Sequence, residues 1–200
     1  MRLGLGPFED LKHCICGASL SSLPLHFLTC NLLRSSITVR HDLIFQSLAK
    51  AARLCGIAVQ SEPSLAIGFE GSRSDGQFFF PSLSAHLDVS VVHPAAPAYL
   101  KLRAGGAIKK RETEKNTMYL EAARRQGAEF YAGVFDSFGG FGVGATTFVL
   151  RLAEEIRSSG IKSYEDQSVK AFINRCVSFA LMRGNGGLLL AGARLARSRP

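Results

Sequence analysis

Two aspartates in the first half of the chain have the residue type and spacing of a divalent-metal site. Asp75 precedes the apolar stretch 77–80, and Asp88 opens the stretch DVSVVHP, with twelve residues between the two carboxylates. If a turn joins two neighbouring strands here, the side chains meet at one end of a sheet. Mg²⁺ is bound by one or two carboxylates together with water and substrate phosphate, and it can generate hydroxide beside a phosphodiester.

A lysine follows on the semi-apolar face of a basic segment. The residues that share this face are spaced by four, three, four and three: Ile108, Glu112, Lys115, Tyr119 and Ala122. A charge that faces inward favours a functional role for Lys115. The alternative is that Lys115 extends to solvent or pairs with Glu112 and has no further role.

A second set of ligand residues lies near the N-terminus. Cys14 and Cys16 are followed after nine residues by His26, and after three more by Cys30. Three thiolates and an imidazole suit tetrahedral zinc. Pro24 fits the first turn of a short helix that would project His26 and Cys30 from one face. The alternative is that the cysteines are small buried apolar residues and that His26 lies on the surface.

Further charged residues extend these two sites. Glu62 follows a short apolar stretch and is a third acidic candidate, with a simple turn position as the alternative. Lys109, Lys110 and Arg111 form a basic cluster on other faces of the Lys115 segment, where they would contact backbone phosphates or solvent.

The spacing of apolar residues predicts the helices and strands that position these side chains. Apolar residues at helical spacing predict a helix over 40–55, with His41 and Asp42 at its positive N-terminal end. The remaining predictions are strands over 57–59, 77–80, 85–92 and 128–136, and helices over 101–126, 145–158 and 165–182. The glycine-rich stretch 139–144 is interpreted as a turn that leads into a helix. This order, αβββαβαα, predicts an α/β sandwich.

Composition limits the classes of function. Lys plus Arg number 24 and Asp plus Glu number 16 in 200 residues, so the net charge of +8 favours a polyanionic partner. Five cysteines without a secretory signal argue for reduced thiols or metal ligands. No apolar run approaches the roughly 20 residues that cross a bilayer, so we expect neither secretion nor a membrane partner.

These pieces together resemble the C-terminal region of non-LTR retrotransposon polyproteins. There, a zinc knuckle leads into a restriction-endonuclease-like domain of the PD-(D/E)XK type. The resemblance covers about residues 11–190. It rests on the Cys/His set, RHD at 40–42, Glu62-Pro63, Arg73-Ser74-Asp75, DVSVVHP at 88–94, Glu112 with Lys115 and Tyr119, and FDSFGG at 135–140.

The resemblance implies a DNA-nicking domain that lets a reverse transcriptase prime from the break. Asp75 and Asp88 would bind Mg²⁺ or Mn²⁺, Lys115 would position the attacking water, and Glu62 would complete the metal shell. The lysine would come from the helix, since Ser90 stands at the D-x-K position. A structural Zn²⁺ would bind Cys14, Cys16, His26 and Cys30.

The implied organisation is a zinc knuckle over 1–36, an endonuclease domain over 37–190 and a basic tail over 191–200. The expected partners are DNA, with RNA as a second candidate, and a reverse transcriptase region, and a chromosomal substrate implies nuclear localisation. Two alternatives remain open: an inactive nucleic-acid-binding remnant of the same fold, and a structural zinc protein that binds an acidic protein.

Overall fold

The computed structural model describes residues 10–65, 73–159 and 168–198 of the chain. Within these ranges, two short 3₁₀-helices, His26–Leu28 and Asn31–Leu33, precede the regular elements. Those elements are α1 (Arg34–Leu54), β1 (Ala58–Ser61), β2 (Gly76–Phe79), β3 (Ser84–Val92), α2 (Gly106–Arg125), β4 (Glu129–Asp136), α3 (Val143–Ser158) and α4 (Val169–Arg197). The predicted start of the last helix at 165, residues 1–9 of the predicted knuckle, and residues 199 and 200 lie outside the described residues.

The four strands form one mixed sheet in the order β1-β2-β3-β4. The β1/β2 and β2/β3 pairs are antiparallel, with Gly76 opposite Leu87 at the end of the second ladder. β3 and β4 are parallel, and α2 connects them. A parallel pair requires such a crossover connection, which places α2 against the sheet. The chain is therefore a mixed α/β protein with a four-stranded mixed sheet.

The alternation of side chains along each strand divides the apolar residues between two faces. On one face, Phe78, Leu87 and Phe135 pack with residues of α1, α3 and α4 in the larger core. On the other face, Val92, Ala132 and Val134 pack with Ala107 and Ala123 of α2. Asp88 alternates with Leu87, so its side chain projects toward the α2 face.

Three predicted helix boundaries are wrong by more than a turn, and one of them is the start of α2, which lies at Gly106 rather than at 101. The first helix begins at Arg34 rather than 40, because the second 3₁₀-helix leads directly into it. The last helix continues to Arg197 rather than ending near 182. Its glycines at 184 and 192 allow close approach, because a Cβ at these positions would meet Arg40 or Phe27.

Helix α4 is long and apolar enough to cross a membrane, judged by length and composition alone. It also has a buried face that includes Ile173, Val177, Leu181 and Leu188. The first three of these residues belong to the larger core, while Leu188 packs with the N-terminal segment. This buried face is what a core helix of a globular protein presents.

Candidate functional site

A cleft of about 470 Å³ opens beside the first residue of β2, where β3 continues past it. The amide of Asp75 donates to the carbonyl of Leu87 at 3.1 Å, which extends the ladder one residue beyond Gly76. This register places Asp75 directly beside Asp88, as the sequence predicts. From Val89 onward, β3 runs along the cleft without β2 as its neighbour.

The carboxylate of Asp75 is held from two sides. Its Oδ2 accepts a hydrogen bond from the backbone amide of Val89 at 2.5 Å. The same oxygen lies 2.9 Å from Nε2 of His41 on α1. These contacts fix the orientation of Asp75 at the end of the sheet.

Asp88 is 4% exposed and meets Lys115 from the opposite side. Nζ of Lys115 lies 2.6 Å from Oδ2 of Asp88, and both side chains are largely buried. Oδ2 of Asp88 is fully buried, and the charge of Lys115 together with a hydrogen bond from its ammonium group stabilises the carboxylate. Burial and the nearby charge of Asp75 raise the pKa of Asp88, and Lys115 opposes this shift only in part.

His41 is a site residue whose role the sequence did not reveal. The prediction that it lies at the N-terminal end of a helix is wrong, because α1 begins at Arg34. Its two ring nitrogens each lie 2.9 Å from a carboxylate, Asp42 on one side and Asp75 on the other. Burial opposes protonation, but these two carboxylates raise the pKa of His41 to about 9. The ring is therefore an imidazolium at neutral pH.

The basic cluster divides between the cleft and the surface. Arg111 lines the cleft with Lys115, four residues later on the same helix, although the sequence spacing predicted it on another face. Residues four apart differ by only about 40° around a helix, which explains the shared face. Lys109 and Lys110 are exposed. Nζ of Lys110 lies 5.8 Å from the ring centroid of Tyr99.

Glu62 does not join the acidic pair. Its backbone amide donates to the carbonyl of Asp75 at 2.9 Å, so it lies near the same sheet end. Its side chain, however, is 76% exposed and lies 3.8 Å from Arg73. Glu62 is also not among the described residues that line the cleft. Its role in completing a metal shell stays a prediction.

The N-terminal segment brings the predicted zinc ligands together. One potential ligand atom from each of Cys14, Cys16, His26 and Cys30 lies within 4.8 Å of the others. Sγ of Cys14 is 3.5 Å from Sγ of Cys30, and Sγ of Cys16 is 3.0 Å from Nε2 of His26. Ligands of tetrahedral zinc, with bonds of about 2.0–2.3 Å, lie about 3.3–3.8 Å apart. The cluster could therefore hold a metal such as zinc.

Local turns produce this arrangement. The amide of Gly17 donates to the carbonyl of Cys14 at 2.8 Å, and the φ of +91° at Gly17 closes a tight turn between the first two ligands. The expected single helix from Pro24 is wrong, because Cys30 lies between the two 3₁₀-helices as the N-cap of the second. The two ligands converge through the bend between the helices rather than through a helical face.

The cluster is continuous with an apolar patch on α4. Cys14 and Cys30 are buried together with Phe27, Leu28 and Leu33, and Leu188 of α4 completes this small core. Burial is the main cause that raises the pKa of Cys14 to about 12. A thiol with so high a pKa stays protonated at neutral pH, whereas a cation bound to it favours the thiolate.

No protein-family model matches this chain, and no curated protein matches it either. The interpretation of the cleft and of the Cys/His cluster therefore rests on their geometry.

Proposed function

We propose that the chain is a DNA endonuclease domain, dependent on Mg²⁺ or Mn²⁺, of a retrotransposon-derived protein. The observation that carries the proposal is the convergence in one cleft of Asp75, which directly precedes β2, Asp88 of β3 and Lys115 of α2. Two adjacent carboxylates and an ammonium group are the components with which metal-dependent nucleases hydrolyse phosphodiesters. A net charge of +8 supports a polyanionic substrate.

The acidic pair fits a divalent cation. Oδ2 of Asp88 is buried, and burial together with the charge of Asp75 disfavours the anionic form of its carboxyl group. A hard cation between the two carboxylates would relieve both effects. When bound, the cation supplies Lewis-acid activation of water and of the phosphodiester.

The protein's own side chains supply the remaining parts. Lys115 would orient the attacking water beside Asp88 and stabilise the negative charge that develops at phosphorus. His41 would hold Asp75 in its orientation through the contact to Oδ2. Arg111, together with Lys109 and Lys110, would bind backbone phosphates.

The proposed fold class is a restriction-endonuclease-like sandwich preceded by a zinc knuckle. Its supports are the mixed sheet with helices on both faces and the acidic pair at the end of β2 and within β3. A lysine that enters from α2 agrees with the retrotransposon resemblance. In such a protein a reverse transcriptase region is the partner, DNA is the main ligand with RNA second, and nuclear access is required.

A plasmid assay tests the proposal. Zinc-loaded protein is incubated with supercoiled plasmid, with and without Mg²⁺ or Mn²⁺. We expect nicked circles only with the divalent metal and none from Asp75→Asn or Asp88→Asn, because these variants remove the metal ligands. Equal nicking by the parent and both variants would reveal a contaminating nuclease and contradict the assignment.

The second candidate is an inactive nucleic-acid-binding remnant. It is favoured by the way both carboxylates are already neutralised, Asp75 by His41 and Asp88 by Lys115. Protein that binds DNA but leaves the plasmid supercoiled with either metal would support this candidate. Isothermal titration with Mn²⁺ then shows whether the acidic pair still binds a cation.

A further inference from the structure

Arg40 is a buried cation without a described counter-ion. Its side chain lies on α1, one residue before His41, and the residue is only 3% exposed. One guanidinium nitrogen donates to Oδ1 of Asn185 at 3.0 Å. Its Nε is buried and has no hydrogen-bond partner. Within residues 10–65, 73–159 and 168–198, no carboxylate forms an ion pair with Arg40.

An arrangement of this kind is costly unless an anion compensates it. Burial lowers the pKa of Arg40 to about 10, so the guanidinium still carries its charge at neutral pH. A buried charge with an unsatisfied N–H group destabilises the folded state, whereas an anion that accepts both a charge and a hydrogen bond reverses the effect. The planar guanidinium matches the oxygen atoms of a phosphate group particularly well.

The neighbours of Arg40 hold it in place without neutralising it. Nδ2 of Asn185 donates to the carbonyl of Ser137 at 2.8 Å, and Oγ of Ser137 lies 2.6 Å from Nδ1 of His93. Burial and then the charge of Arg40 lower the pKa of His93, with opposition from Asp136. His93 is therefore neutral at pH 7. The net charge of this hydrogen-bonded network is that of Arg40.

The position of Arg40 links it to the acidic pair. Arg40, His41, Asp75 and Asp88 line the same cleft, and Arg111 borders it with Nε 3.4 Å from Oγ of Ser90. Arg111 pairs with Glu114 at 3.0 Å, whereas Arg40 has no ion-pair partner among the described residues.

The cleft also continues beyond Arg40. A neighbouring groove of about 440 Å³ reaches the N-terminal segment and shares Thr29, His93 and Ala96 with the cleft. Its apolar lining includes Pro24, Leu25, Pro97 and the exposed Leu100. Apolar surface beside a cationic group is the combination on which single-stranded nucleic acid places its bases and its backbone.

We propose that Arg40 anchors a second anion subsite. This subsite binds a phosphodiester group of the bound nucleic-acid strand at a position different from the phosphodiester that is cut. The inference rests on the proposed function and extends it, since it assigns the path of the strand from the acidic pair past Arg40 toward the N-terminal segment. The guanidinium of Arg40, which lines the cleft, donates to a phosphate oxygen, and Asn185 holds the guanidinium in place.

Inorganic phosphate tests the subsite without cleavage. The melting temperature of zinc-loaded protein is measured in chloride and in phosphate at equal ionic strength, with no added divalent cation and no free zinc. Phosphate should raise the Tm of the parent and of the control Arg34→Met by about 2–4 °C, because a ligand that binds the folded state stabilises it. Arg34 is an exposed residue of α1 that does not line the cleft.

Arg40→Met should lose this phosphate effect. In chloride its Tm should equal or exceed that of the parent, because an apolar side chain replaces an uncompensated buried charge. Should Arg40→Met fail to fold, Arg40→Lys keeps the charge and removes the planar fork, and the phosphate effect should then shrink. An equal rise in the parent and in the Arg40 variant, or no rise in the parent, overturns the proposal.

An oligonucleotide distinguishes nucleic-acid phosphate from free phosphate. Fluorescence anisotropy without Mg²⁺ should show Arg40→Met binding a single-stranded oligonucleotide about tenfold more weakly, the loss expected for one charge-assisted contact. Unchanged affinity beside a lost phosphate effect would overturn the nucleic-acid assignment. If both effects appear while the plasmid stays intact, the endonuclease proposal fails and the subsite stands.

Discussion

His41 and Lys115 approach the acidic pair from different helices, and each neutralises one carboxylate. Nε2 of His41 on α1 lies 2.9 Å from Asp75, and Nζ of Lys115 on α2 lies 2.6 Å from Asp88. These two contacts offset part of the repulsion between the aspartates, although the pKa of Asp88 stays raised. A metal that enters the cleft must compete with both cations for the same oxygen atoms.

Replacement of Lys115 by alanine should lower the nicking rate without weakening metal binding. We expect Mn²⁺ binding to persist or strengthen, because a competing cation is removed from Asp88. The nicking rate should fall by about 10²-fold or more, the scale of a positioned charge or proton-transfer group. Single-turnover plasmid cleavage measures the rate. Arg124→Ala, an exposed charge at the end of the same helix, is the control, and an equal loss in both variants would count against a specific role.

Zinc should bind the Cys14, Cys16, His26 and Cys30 cluster with a stoichiometry of about one per chain. Cys30→Ala should carry little zinc and melt at a lower temperature, since the segment around Phe27 and Leu28 then loses its metal crosslink. Cys176→Ala, outside the cluster, should behave as the parent. Elemental analysis and thermal melts measure both properties, and full zinc content in Cys30→Ala would refute the ligand set.

Substitution by alanine should have opposite effects on the free energy of unfolding at two glycines of α4. A Cβ at Gly192 would overlap the Phe27 ring, whereas a Cβ at Gly187 would have no atom within 4 Å. Gly192→Ala should lower the free energy of unfolding by about 1–3 kcal/mol through overpacking. Gly187→Ala should raise it by about 0.5–1 kcal/mol through helix propensity. Urea unfolding distinguishes the two, and stabilisation by Gly192→Ala would contradict the described packing of Phe27.

His93 should make stability depend on pH on the acidic side of neutrality. Burial and the charge of Arg40 place the pKa of His93 in the folded protein below its ordinary value of 6.5. The neutral ring is therefore compatible with folding above about pH 6.5, and stability is lost as the pH falls toward the lower folded pKa. His93→Gln should flatten this decline. Unfolding free energies between about pH 7.5 and pH 5 measure it, and parallel curves for the two proteins would exclude a contribution from His93.

Lys109 and Lys110 should contribute to DNA affinity through phosphate charge alone. Their replacement by alanine should weaken binding to all sequences equally and reduce the slope of log affinity against log salt by about one per lost contact. Binding that does not change with salt would indicate a protein partner instead.

The acidic pair and Lys115 could be predicted from the sequence because the periodicity of a strand and the semi-apolar face of one helix are local signals. The spacing from Asp75 to Asp88 fixed their register, and the position of Lys115 on α2 fixed its direction. Arg40 and His41 were harder to interpret. The start of α1 at Arg34 has no side-chain cap to announce it. The four-residue spacing of Arg40, Ile44 and Leu48 was the signal that could have revealed a buried arginine.

The C-terminal extension of α4 could not be predicted, because tertiary packing overrides local propensity there. Four glycines between 184 and 192 indicate a loop by composition. In the folded chain Gly184 contacts the stem of Arg40, and Gly192 contacts Phe27. Because these glycines have no side chain, α4 can pack closely against Arg40 and Phe27. The free energy gained by this packing exceeds the cost of glycine in a helix. For Glu62, the alternative of a simple turn position agrees with its exposed carboxylate.

Helix α4 connects the Cys/His cluster with the cleft. The same helix contributes Val177 to the main core, Asn185 to the Arg40 network and Leu188 to the Cys/His segment. Metal release at the N-terminal cluster would therefore loosen the packing around Leu188, whereas the nearby Asn185 of the same helix supports Arg40 in the cleft. Metal occupancy at the cluster and strand binding in the cleft should thus be coupled in their free energies, although no residue belongs to both sites.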